Sequence, residues 1–357
     1  MLNGCISGLM IIPFNITYSE RKYGDCRTKA FKQVFDHYGF EYSVQEIFGI
    51  GRGLAFSTIE CQYGNIPLVG IEGRDFNAEL EFCKQCGIHC QEHYIEKNNN
   101  IMNEEVPFEQ EILNCVKTGN PVLVQCDVYY MTYLKRMNRT HNEFHMITII
   151  GYDIFNKRLF VVDSLLNEVK EISMIELYNA MFEKQNSNEK RGIWYSIKKI
   201  DNQGNNLSKY ERHEQAIRAL GERLLSSNGD LHGLKELIEF MERILVKAQK
   251  NSTNHFYYLD YLVRGICYIV RQQDELNGSC FRTLYLQYLY DIIKKYQKEE
   301  LDSIVLALEQ SEKIWKNISY KLRYSKDGIV ERTKSLINYL KQIYDFEYKA
   351  ANCMIML

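Results

Sequence analysis

Two apolar segments, His145-Met146-Ile147-Thr148-Ile149-Ile150-Gly151 and Arg158-Leu159-Phe160-Val161-Val162-Asp163, decide the fold, with Tyr152-Asp153-Ile154-Phe155-Asn156-Lys157 between them. Each is strand-length and rich in β-branched residues, and the polar link carries turn formers, so the pair reads as an antiparallel hairpin. Antiparallel pairing sets the start of one strand against the end of the other. His145 and Asp163 are therefore expected side by side. A carboxylate that fixes an imidazole's tautomer makes a general base, and such a base serves a nucleophile.

Working back from the hairpin, Pro121 opens a strand predicted over 122–131, and Gly119-Asn120 closes a helix predicted over 108–117. Before that, 77–86 reads as a helix ended by Gly87, with an alternating strand over 89–96. Ser43-Val44-Gln45-Glu46 forms a capping box for another helix, which runs into Gly49-Ile50-Gly51-Arg52-Gly53. Nearest the N-terminus, Ala30, Phe31, Val34, Phe35 and Tyr38 make a helical stripe that stops at Gly39 and follows Gly24-Asp25-Cys26. Cys26 is thus placed at a helix N-terminus, where the partial positive charge favours a thiolate. Downstream of the hairpin come a short helix near 173–182 and a strand over 192–200. The first part is α+β, with helices first and sheet later.

The nucleophile that fits is Cys26, with His145 as base and Asp163 as orienting carboxylate. Taken singly, each has a structural reading: a core cysteine, a satisfied strand histidine, a strand-end turn aspartate. Their chain order and their predicted elements favour the triad.

From Asn206 onward apolar residues recur at three and four, as in Leu234, Leu237, Ile238, Met241, Ile244 and Leu245, giving about six helices with breaks near 227–230, 250–253, 277–278 and 326–328. Of the 357 residues only 4 are proline, and none follows Pro121, which excludes Pro-rich and collagen-like chains and favours regular structure. The linker is placed at 201–207. The two expected domains are 1–204, catalytic, and 205–357, helical.

A formal charge of −2, from 44 basic and 46 acidic residues, argues against a general nucleic-acid or membrane-surface binder. The N-terminus has no basic n-region, and the apolar stretch 256–270 carries Asp260 and Arg264 and is short for a bilayer span. A cytoplasmic protein is the expectation, with no membrane partner. Eleven cysteines, an odd number without a secretory signal, suit a reducing compartment. Cys83-Lys84-Gln85-Cys86 with His89, Cys90 and His93 resembles zinc spacing but lacks a second distant pair, so no metal and no cofactor is assigned. The glycine loop 49–53 follows a helix rather than a strand and does not fit a dinucleotide fingerprint. It reads as a plain turn or as a backbone wall of an acyl channel, with Gly51 and Gly53 as substrate-lining candidates.

These segments together, with Phe48-Gly49-Ile50-Gly51-Arg52-Gly53-Leu54-Ala55-Phe56 and Gly119-Asn120-Pro121-Val122, resemble the butirosin biosynthesis protein H N-terminal family over roughly residues 20–200, and further the closthioamide-type amide synthetase branch. The resemblance implies a papain-like, C39-peptidase-related fold followed by an all-α domain. It also implies a thiol acyltransferase or amide synthetase of natural-product, nonribosomal peptide-like biosynthesis. Cys26 would take an acyl group from a phosphopantetheinylated acyl or peptidyl carrier protein and pass it to an amine, a diamine among the candidates. Cys26, His145 and Asp163 carry over as nucleophile, acid–base and orienting residue. Two positions depart from the papain and C39 patterns: Glu20 stands where a glutamine donates to the oxyanion, and Arg27 where C39 peptidases have glycine. An ionised Glu20 cannot donate, so the donor is a protonated Glu20, Tyr18, Ser19 or the Cys26 backbone N–H, unless the alignment itself is displaced. Lys313, Lys316, Lys321, Arg323 and Lys326, interleaved with Trp315, Tyr320 and Tyr324, form either a solvated helix face or a dock for an acidic carrier. A cysteine peptidase or amidase is the alternative activity, and a non-catalytic binding module with a papain-like shell the alternative class.

Overall fold

The computed structural model describes residues 8–16, 24–63, 66–96, 105–135, 141, 143–166, 168–182, 190–198, 208–250, 253–277 and 279–357. The elements run β1 (Leu9–Ile11), α1 (Cys26–His37), α2 (Val44–Ile50), β2 (Leu54–Tyr63), β3 (Ile66–Arg74), α3 (Ala78–Cys86), β4 (His89–Glu96), α4 (Glu105–Lys117), β5 (Val122–Cys126), β6 (His145–Asp153), β7 (Arg158–Asp163), β8 (Val169–Ser173), α5 (Met174–Phe182) and β9 (Lys190–Lys198). Helices α6 (Lys209–Leu225), α7 (Asp230–Gln249), α8 (Thr253–Asn277), α9 (Arg282–Tyr296), α10 (Asp302–Asn317) and α11 (Ile329–Ile355) complete the chain. The expected α+β class with a helical C-terminal part is observed.

Two compact units share these elements, and the chain is not divided at a single point. The first takes Asp25–Val44 with the described residues of Met1–Glu20 and Cys86–Gly204; the second takes Gln45–Gln85 with those of Asn205–Leu357.

In the first unit, seven strands form an antiparallel sheet in the order β4-β9-β5-β6-β7-β8, with β1 also on β6. Strand β6 is buried from His145 to Tyr152, as a central strand covered on both faces must be. Along one edge it pairs β7; along the other it pairs β5 at its start and β1 at its end. Helix α1 forms where its stripe predicts: the Asp25 carboxylate accepts from Thr28 N–H at 2.7 Å as N-cap, Ala30, Phe31, Val34 and Phe35 are buried, and Gly39 holds φ +80° after the last turn. Strand β5 ends at Cys126, five residues short of the expected Met131. The reason is Asp127, whose Oδ1 accepts from Tyr129 N–H at 3.0 Å and starts a 3₁₀ turn over Val128–Tyr130.

In the second unit, the β2–β3 hairpin packs on α7 and α8. The sequence reading assigns no strand to this stretch, where Pro67, Gly70 and Gly73 interrupt the alternation. Gly73 lies against the Cys280 carbonyl with no room for a Cβ. Three consecutive residues there, Ser279, Cys280 and Phe281, hold φ of 50°, 52° and 68°, a left-handed turn that costs about 1–2 kcal/mol per residue. The turn is fixed from both sides: Phe281 stacks on Phe48 at 5.5 Å, and Arg282 Nη1 donates to the Cys280 carbonyl at 2.7 Å. Arg282 is in turn held by Glu347 through two 2.8 Å bonds, and Ser311 and Trp315 donate to the same carboxylate at 2.5 and 3.2 Å. All four side chains are buried. A further break that the sequence reading leaves out falls at Gln297, left-handed at φ 54°, between α9 and α10.

Glu347→Ala would strand a fully buried guanidinium together with two further donors. It is expected to cost about 3–5 kcal/mol, read as a lower midpoint in urea unfolding followed by helical circular dichroism.

Candidate active site

The β6–β7 register pairs Ile147 with Asp163, so His145, two residues earlier on the same strand face, is the diagonal neighbour of Asp163. His145 Nε2 meets Asp163 Oδ2 at 2.8 Å, with both residues buried. The carboxylate is well satisfied: Tyr133 Oη donates to Oδ2 at 2.8 Å and Leu165 N–H to Oδ1 at 2.9 Å. Burial alone would push Asp163 up, but the hydrogen bonds from His145, Leu165 and Tyr133 and the charge of His145 hold it below the usual carboxylate value.

With Nε2 engaged by Asp163, Nδ1 is the imidazole nitrogen left for Cys26. The thiol hydrogen-bonds His145, and Sγ lies 3.8 Å from the Phe144 carbonyl. Burial raises the thiol pKa, and Asp163 adds to this. The charge and hydrogen bond of His145 and the Met146 N–H outweigh both, leaving the thiol below its ordinary value of 9.0. For His145, burial disfavours the charged ring, but the Cys26 thiolate and the hydrogen bonds to Asp163 and Cys26 raise it to about 10. The two shifts point the same way, each group favouring the charged form of the other.

The structure therefore brings Cys26, His145 and Asp163 together. Tyr18, Ser19 and Glu20 lie outside the described residues. Gly51 and Gly53 belong to the second unit, where Gly51 abuts the Ala78 carbonyl and Gly53 the Phe48 ring. Those two contacts account for the glycines by close packing.

Arg27, the departure next to the nucleophile, has a structural explanation. It is buried, donates to Gln125 Oε1 at 3.1 Å and to Tyr195 Oη at 2.7 Å, and lies over the Tyr195 ring at 4.9 Å. Tyr195 donates onward to Glu92 at 2.8 Å, and Glu92 pairs with Lys190 at 2.6 Å. One residue past the thiol, the arginine thus ties α1 to β5, β9 and β4. Of the zinc-like group, Cys83 and Cys86 are buried, and His93 stacks on Trp194 at 3.7 Å with its Nε2 on Ser196 Oγ at 2.9 Å.

Two contributors are missed by sequence reasoning. Tyr133 lies 30 residues from Asp163 in a stretch without periodicity, and nothing in its spacing signals the contact. Lys29, one turn beyond Cys26 on α1, is visible as an i,i+3 neighbour; burial lowers its pKa while the Cys26 charge raises it.

Residues 25–164 match the family Butirosin biosynthesis protein H, N-terminal. The match runs from the residue before the cysteine to the residue after the aspartate, so it brackets all three site residues, and it also includes Gln45–Gln85 of the second unit. No curated protein matches the chain.

Two outcomes are expected. Iodoacetamide should alkylate Cys26 with a rate that rises with pH below the ordinary thiol value of 9.0; in His145→Ala, burial and Asp163 are opposed only by the Met146 N–H, and the rise should move to higher pH. An unchanged pH profile would show that His145 does not control the thiol. Tyr133→Phe removes a hydrogen bond to a buried charge and should lower stability by about 1.5–3 kcal/mol in denaturant titration.

Proposed function

We propose that this protein is an amide-forming acyltransferase of natural-product biosynthesis, in which Cys26 accepts an acyl group from a carrier-protein thioester and passes it to an amine. The observation that carries the reading is the Cys26–His145 pair, its thiol lowered by the imidazole and its ring held by buried Asp163, within a segment that matches a family named for a biosynthesis protein. Cysteine at a helix N-terminus and histidine at a strand start are also the arrangement of a papain-like, C39-related fold, which we assign to the α+β part, 1–204; the helical part, 205–357, selects donor or acceptor.

Cys26 Sγ attacks the thioester carbonyl, the donor C–S bond breaks, and His145 gives its proton to the departing pantetheine thiol. In the second half-reaction the now neutral His145 takes a proton from the attacking amine, and the Cys26 thiolate leaves. The Cys26 backbone N–H, at the open end of α1, is the oxyanion donor within the described residues that suits this chemistry. A thioester carries a good leaving group, so this exchange asks less of the general acid than amide cleavage does.

For the carrier, the second unit offers a basic aromatic patch. Tyr320 and Tyr324 are exposed, Arg271 lies over both rings at 5.4 and 5.7 Å and donates to Tyr324 Oη at 2.8 Å, and Arg323 lies over Tyr324 at 5.7 Å. Lys321 and Lys326 are exposed beside them. Trp315 is not part of this face, since it is buried on Glu347. An acidic carrier protein complements such a patch.

The test is to incubate the full chain with an acyl-pantetheinyl carrier, with and without an alkyl diamine, and to follow protein and product masses. An acyl adduct on Cys26, discharged faster by diamine than by water and lost in Cys26→Ala, is the expected result. Peptide cleavage independent of amine would replace the reading with a peptidase, and no adduct would replace it with a binding module.

A further inference from the structure

A second carboxylate–imidazole pair stands at the ends of the strands that carry the site. Cys126, the last residue of β5, pairs directly with His145, the first of β6, and the next residue is Asp127. Cys126 is buried, and its thiol is pushed up first by burial and then by the charges of Asp163, Cys26 and Asp127, which sets Asp127 in the same electrostatic neighbourhood as the nucleophile. Asp127 is itself buried, and its Oδ2 meets His141 Nδ1 at 2.7 Å. His141 is four residues before His145, has a side chain 22% exposed, and stacks on Tyr129 at 4.1 Å with the rings 20° apart. Because the carboxylate accepts from Nδ1–H, the neutral ring keeps its lone pair on Nε2. A buried acid thus holds a partly exposed imidazole through Nδ1 and leaves Nε2 as the basic nitrogen, whereas Asp163 engages His145 through Nε2.

The proposed reaction leaves a proton for it. An alkylamine reaches the acyl-enzyme as an ammonium ion. It loses one proton to become nucleophilic, its nitrogen bonds the acyl carbon as the Cys26 S–C bond breaks, and it loses a second proton to end as a neutral amide. His145 takes one and returns to imidazolium opposite the thiolate. It has no capacity for the other.

We infer that His141, oriented by Asp127 and Tyr129, is the acceptor-side base that takes the second proton, directly or through one water, and returns it to solvent. The acceptor class is then an amine protonated at neutral pH, an alkylamine or alkyl diamine. This inference rests on the acyltransferase reading, and its test is arranged to separate the two.

Acyl-Cys26 is formed from an acyl-pantetheine thioester on the full chain, for wild type and His141→Gln, and discharged in turn by an alkyl diamine, by hydroxylamine, which is already unprotonated at neutral pH, and by water. Expected for His141→Gln are adduct formation at the wild-type rate, hydroxylamine discharge as in wild type, and diamine discharge slower by ~10²-fold, the lower range for a general base. Equal diamine discharge by the two proteins overturns the role of His141 and leaves the acyltransferase reading standing. Equal loss with both nucleophiles, or loss of adduct formation, overturns it in favour of a structural role for the ring. Absence of any adduct in wild type removes the acyltransferase reading and this inference with it.

Discussion

The site depends on one register. With Ile147 opposite Asp163, the histidine that opens β6 and the aspartate that closes β7 fall on the same strand face at diagonal positions, close enough for a 2.8 Å bond. A slip of one residue would send the two side chains to opposite faces of the sheet. That slip is opposed by burial, because β6 is covered along nearly its whole length and is paired on both edges, by β7 on one side and by β5 and β1 on the other. The structural demand for a buried central strand and the chemical demand for a fixed His–Asp pair are met by the same hydrogen-bond ladder.

The electrostatics follow from that placement. Burial by itself would leave a neutral thiol, a neutral imidazole and a protonated carboxyl, because each charged form loses solvation in the interior. What reverses all three is mutual: the thiolate supports the imidazolium, the imidazolium supports both anions, and Tyr133 and the Leu165 N–H satisfy the carboxylate from outside the triad. Removing one member therefore changes the protonation of the others. The three groups therefore titrate together rather than one by one.

Much of the placement of these residues is legible in the sequence. The hairpin, the helix that opens at Cys26 and the placement of Cys26, His145 and Asp163 on those elements come from strand periodicity, a helix stripe and one glycine stop, all signals local to about ten residues. What escaped is non-local or disguised. Tyr133 reaches Asp163 only because the chain after β5 turns at Asp127, and the β2–β3 hairpin is masked by glycines whose purpose is close packing against residues far along the chain, such as Gly73 against Cys280. The left-handed turn at Ser279, Cys280 and Phe281 has no glycine to announce it. It is held by a buried Arg282–Glu347 pair 65 residues apart in sequence, a separation that no periodicity reports.

In the proposed mechanism hydrolysis and transfer pass through the same acyl-cysteine, so Cys26, His145 and Asp163 do not by themselves decide between them. The difference lies in the second half-reaction. Water gives up one proton in forming a neutral carboxylic acid, and His145 alone can accept it; an ammonium gives up two, and a transferase needs somewhere to put the other. Two carboxylate-bound imidazoles at adjoining strand ends, one sealed with the thiol and one reaching solvent, meet that count. Under the proposal their unequal burial also divides the work: the sealed ring stays coupled to the sulfur to regenerate the thiolate, while the partly exposed ring returns its proton to water.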